Sequence, residues 1–136
     1  MTTKEQTCAE RIAGAWARTK EDLLSYMGDG AVYESGSEDG ARPFNEYALS
    51  FDYVAPGTFS DQPKGYWRYQ MSWGGPSDEI RFFGGPVHFT KAEYWFMDWY
   101  DGAKLDVADE RVAHWLWNEL RENGAVMATF NEAQED

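Results

Sequence analysis

The chain has 136 residues, of which 43% are hydrophobic and 17% aromatic, and its 24 acids against 12 Lys and Arg leave a formal net charge of −12. That length suits one domain with a real core, and the aromatic content argues against a disordered chain. The charge argues against direct binding to nucleic acid or to an anionic membrane and favours basic partners, although solubility alone also accounts for an acidic surface. No apolar run approaches the ~20 residues that span a membrane, and the first residues lack the apolar segment of a secretory signal. The single cysteine, Cys8, has no disulfide partner within the chain, which fits a reducing compartment, and a cytoplasmic location is expected.

The expected organisation is a single α+β domain: helix over 1–27, an acidic loop over 28–45, an aromatic-rich antiparallel sheet over 46–105, helix over 106–123 and a tail over 124–136. In the first segment Cys8, Ile12, Ala15, Trp16, Leu23 and Met27 recur at helical spacing, and Gly28-Asp29-Gly30 stops the helix. The loop that follows is rich in Gly, Ser, Asp and Glu, with a local acidic patch around Glu34, Glu38 and Asp39. Alternating large and small residues then mark strands at 47–53 and 66–73, a short one at 79–83 and a fourth at 93–100. Short turns join them into a four-stranded antiparallel meander. Asp106 reads as an N-cap, with Asp109 and Glu110 in the first helical turn, and Ala108, Val112, Trp115, Leu116 and Leu120 form an apolar stripe that ends at Asn123-Gly124. Residues 125–130 read as a docking strand or a loose arm.

Both helical stripes are expected on one sheet face. If Trp67 and Trp95 face the helices, alternation leaves Asp52, Arg68, Arg81, Tyr94, Asp98 and Tyr100 on the other face. Such a surface suits recognition, but a solvated face with cross-strand pairs such as Asp52–Arg68 or Arg81–Asp98 is the preferred reading, since antiparallel sheets often have a wet face.

An aromatic precedes Gly-Gly-Pro twice, as Trp73-Gly74-Gly75-Pro76 and Phe83-Gly84-Gly85-Pro86. A phosphate loop requires glycines between a strand and a helix, with a lysine in the P-loop form. Here both pairs fall between strands and no lysine is in place, so they read as turns. His88 and His114 lie on different elements without a second nitrogen or sulfur ligand at metal spacing, so no metal or cofactor is expected. No nucleophile motif is present, and Cys8 sits on an apolar stripe. No catalytic residue is assigned; a small enzyme centred on Asp98 is the weakest alternative.

The run YALSFDYVAPGTFSDQPKGYWRYQMSWGGPSDEIRFF with AEYWFMDWYDGAKL after it resembles small acidic proteins of plasmids, phages and integrated elements, often encoded near anti-restriction or anti-CRISPR genes. The resemblance implies a non-enzymatic anti-defence protein in the host cytoplasm. Its partner would be a basic surface, such as that of a nuclease or CRISPR effector, bound with or without DNA mimicry. Excess charge collects in residues 106–136, with eight acids against two bases. Glu34, Glu38, Asp39, Asp109, Glu110, Glu119 and Glu122 are the expected acidic contacts, and the sheet-face residues form a second patch. A toxin-neutralising or other protein-binding module is the alternative, and a homodimer stays open.

Overall fold

The computed structural model describes residues 7–28, 30–36, 42–74 and 76–134. Glu38 and Asp39 lie outside the described residues. The first apolar stripe forms α1 (Cys8–Gly28), a continuous helix that buries Cys8, Ile12, Ala15, Trp16, Thr19, Leu23 and Tyr26. The stretch expected as loop contains two short helices, α2 (Gly30–Ser35) and α3 (Phe44–Tyr47). Their aromatics explain why they order: Tyr33 stacks on Phe44 at 4.8 Å, and Phe44 meets Trp115 edge-on at 5.2 Å.

The sheet has five strands in sequential antiparallel order, not four. They are β1 (Ser50–Val54), β2 (Tyr66–Ser72), β3 (Ser77–Gly84), β4 (Phe89–Asp98) and β5 (Asp101–Asp106). The fifth strand occupies residues that follow the expected fourth strand and includes Asp106, the expected start of a helix. Asp98 pairs with Asp101, so the chain reverses through Trp99-Tyr100. Asp106 is the last residue of β5 and not a helix cap; its carboxylate accepts the backbone N–H of Ala108 at 2.9 Å, a local bond that mimics a cap. Helix α4 begins later, at Arg111, and runs to Glu122.

Residues 125–134, expected as strand or tail, form helix α5 (Ala125–Gln134). Gly124 takes φ +87° and the Asn123 side chain accepts the Ala125 N–H at 2.9 Å, so Asn-Gly ends one helix and caps the next.

Three helices share one sheet face. Trp16 of α1 lies 5.0 Å from Tyr94, Trp117 of α4 sits against Trp67 and Phe82, and Phe130 of α5 packs on Tyr53 and Trp67. Cross-strand register puts Tyr53, Trp67, Phe82 and Ala92 in one row and Tyr69, Ile80, Tyr94 and Leu105 in the next, all beneath the helices. The expected alternation in β4 is present but its phase is reversed: Tyr94 is fully buried under α1, and Trp95 lies on the open face. Lys91 and Glu93 share the parity of Trp95, and neither charge could sit beneath the helices without a large desolvation cost.

Trp67 is wholly buried, and its indole N–H donates to the Val126 carbonyl at 3.1 Å, which ties β2 to α5. Tyr69 is 3% exposed, yet its hydroxyl has no partner among the described residues. Opposite outcomes are expected in urea denaturation: Trp67→Ala costs about 3–5 kcal/mol, whereas Tyr69→Phe, by removing an unsatisfied polar atom, is neutral or stabilising by up to ~1 kcal/mol.

Candidate functional site

The open sheet face is where sequence reasoning places a recognition patch. Asp52, Arg68 and Arg81 do lie on it. Arg68 donates to both carboxylate oxygens of Asp52, at 3.0 and 2.7 Å, so that expected pair forms. Arg81 does not pair with Asp98. Its Nε donates to Glu79 at 2.7 Å, and its guanidinium lies 4.0 Å from the Trp95 ring centroid and 4.8 Å from that of Tyr66. Glu93, directly across from Arg81, receives Lys91, Lys104 and the Trp95 indole N–H.

These contacts close the face without a second layer of structure. Glu79, Glu93, Gln70 and Tyr66 are all buried. Burial alone would raise the Glu93 carboxyl, but hydrogen bonds from Lys91, Trp95 and Lys104 outweigh it and hold the pKa below the usual carboxylate value. A carboxyl depressed in the folded state stabilises the fold above its unfolded pKa, and that contribution is lost as pH falls through the folded value. The stability difference between wild type and Glu93→Gln is therefore expected to be largest at neutral pH and to shrink as pH falls below about 4, as read from thermal melts across pH.

The other residues expected on that face are elsewhere. Tyr94 is inaccessible under α1, where its hydroxyl donates to Asp78 at 2.7 Å. Asp98 pairs with Arg11 of α1. Tyr100 stands at the β4–β5 turn. Thr19 and Ser72 also donate hydroxyls to Asp78, so this carboxylate joins α1, β2 and β4. Among the described residues, no group of three or more His, Cys, Asp or Glu could hold a metal ion. Burial, reinforced by the Asp101 carboxylate, pushes the Cys8 thiol upward and keeps it protonated.

The acidic residues are dispersed. Glu110 pairs with Lys20 at 2.9 Å, and Glu119 accepts the Tyr33 hydroxyl at 2.8 Å. Burial and this carboxylate push the Tyr33 phenol up to about 12. Glu34, Asp109 and Glu122 are exposed. Asp109 precedes α4 and Glu122 is its last residue, so a helix of 12 residues, roughly 18 Å long, lies between them.

The three most exposed large apolar side chains share one end of the sheet. Trp73 is 77% exposed in the β2–β3 turn, and Trp99 and Tyr100 are 89% and 104% exposed in the β4–β5 turn. Ser77 pairs with Met97, which puts both turns at the same sheet end, and Leu49, just before β1, is also exposed there. A groove of about 450 Å3 runs between the hairpin and the first turn of α1, lined by Thr7, Arg11, Trp99 and Tyr100 among others. Asp101 fixes the hairpin against the helix by accepting the Cys8 N–H at 2.7 Å, which holds its carboxyl below the ordinary range.

Trp99 adopts φ +58°. In a two-residue hairpin loop that conformation suits glycine or asparagine, and a bulky residue there is strained by about 1–3 kcal/mol. Sequence reasoning missed Trp73 and Trp99 because both continue the alternation of the strand before them. Comparison with protein-family models, curated proteins and solved structures finds no match to this chain. Trp99→Asn is expected to leave the fold intact and raise its unfolding free energy by about 1 kcal/mol; a clear loss of stability would show that the Trp99 side chain is needed by the fold itself.

Proposed function

We propose that this chain is a non-enzymatic anti-defence protein that binds the basic, nucleic-acid-binding surface of a host nuclease or CRISPR effector. The aromatic tip formed by Trp73, Trp99 and Tyr100 is its anchor. The observation that carries this reading is the exposure of three large aromatics at one sheet end, one of them on strained backbone. Aromatic residues of this kind dominate interface energetics, and strain retained at an exposed tip points to use. The charge of −12 supplies long-range attraction to a basic partner, and Glu10, Asp98 and Asp101 outnumber Arg11 around the tip. The resemblance to proteins encoded beside anti-restriction and anti-CRISPR genes supports the choice of partner class.

Two versions differ in what the acids do. In the mimic version, Glu34, Asp109 and Glu122 occupy phosphate positions in the partner's channel. In the version without mimicry, as for a toxin-neutralising protein, the tip fills an apolar pocket and charge only steers the encounter. The aromatic character of the tip and the dispersal of the acids favour the second version.

Binding to purified nucleases and CRISPR effectors of the host, measured with and without competing DNA, tests the reading. Wild type is expected to bind in a salt-sensitive complex, and Trp99→Asn with Tyr100→Ser to weaken it about 30-fold or more. Competition by DNA selects the mimic version. Unchanged affinity in the tip variant, or no basic partner at low salt, overturns the proposal.

A further inference from the structure

The opposite end of the sheet carries a different chemistry. There the β3–β4 connection turns back at Gly84, which takes φ +136° and where a Cβ would lie 2.8 Å from the His88 carbonyl oxygen and 2.9 Å from the Thr90 nitrogen. This glycine-dependent turn sets Val87, His88 and Phe89 against α4. The Val87 carbonyl accepts Arg121 Nη1 at 3.1 Å and the Trp117 indole N–H at 3.4 Å. Between the turn and the helix lies a cleft of about 280 Å3, lined by Val87, His88, Phe89, His114, Trp117, Asn118 and Arg121.

We propose that this cleft binds a small aromatic carboxylate. Both histidines of the chain meet here, although nothing in their sequence spacing relates them. In a molecule whose acids outnumber its Lys and Arg two to one, no carboxylate lines this cleft among the described residues. Arg121 is held by a neutral carbonyl, so its charge is not cancelled by that contact. The His88 ring and the Asn118 amide have no side-chain partner among the described residues. His114 is anchored through Nε2, 2.7 Å from the Ala108 carbonyl oxygen, with its ring 4.7 Å from that of Phe89.

Half-buried Phe89 gives the cleft an apolar ring, and buried Trp117 packs edge-on against it, their ring centroids 5.8 Å apart. One half of the lining is therefore aromatic and the other presents N–H donors. An oxyanion is recognised by such donors, most strongly by a guanidinium, and an aromatic ring is favoured by contact with Phe89 and the histidine rings. The volume lies just below the range of drug-sized sites, which suits a single-ring ligand. The site is independent of the aromatic tip.

Amide and indole NMR spectra of the full chain, titrated with benzoate and separately with inorganic phosphate, test the assignment. Benzoate is expected to give saturable shifts at the Trp117 indole N–H, at His88 and Phe89, and at Asn118, and to bind more tightly than phosphate. Arg121→Leu should weaken benzoate about tenfold or more, and His88→Gln, at an exposed position, should weaken it while preserving the rest of the spectrum. No saturable shift at these positions, phosphate binding as tightly as benzoate, or an Arg121→Leu protein that folds and titrates like wild type would each overturn the proposal.

Discussion

The arginine held between Tyr66 and Trp95 is the interaction on which the rest of the molecule depends. A single sheet with helices on only one side leaves its other face to water, and here that face closes itself. Arg81 lies against two rings while bonding Glu79, and Glu93 gathers two lysines and an indole N–H. Each exposed ion pair is worth at most about 1 kcal/mol, whereas a partly desolvated cation–π contact adds ~1–2 kcal/mol. The larger effect is that no buried carboxylate in the array is left unpaired, which would cost more than any one pair contributes. This lattice makes the broad sheet surface a structural element, and what remains free for a partner is displaced to the ends of the sheet.

At one of those ends the chain breaks its own local rules. Its other turns use residues suited to positive φ, such as Gly57, Gly74, Gly84 and Gly124, but the β4–β5 turn uses Trp99. A fold alone gains nothing from a fully exposed indole on strained backbone. Asp101, which ties that hairpin to the start of α1, keeps the tip positioned against a rigid helix. A presented aromatic on a fixed support loses little entropy when it docks, which is why such residues serve well as anchors.

Much of the architecture was legible in the amino-acid sequence because periodicity is a strong signal. The stripe from Cys8 to Leu23 gives α1, and alternation gives the first four strands nearly in place. The two Gly-Gly-Pro runs were readable as turns, and Gly74 and Gly84 take the positive φ that this reading requires. The fifth strand was hidden by the same feature that marks the candidate site, since a hairpin through Trp-Tyr carries no turn chemistry. The phase of β4 was available in Lys91 and Glu93, whose charges belong outward, but the size of Trp95 suggested the reverse. Helix α5 was masked by an Asn-Gly that both stops and starts a helix. The cleft holding His88 and His114 could not be read at all, because only tertiary packing brings the β3–β4 turn to α4.

The most direct test is hydroxyl-radical footprinting of the aromatic side chains, first in the free protein and then in complex with a basic partner. Trp73, Trp99 and Tyr100 are expected to be modified rapidly and Tyr66 and Trp95 slowly in the free protein, with protection in the complex centred on the first three. If Tyr66 and Trp95 react as fast as the tip, or gain protection in the complex while the tip stays reactive, the open face is the working surface and the account fails.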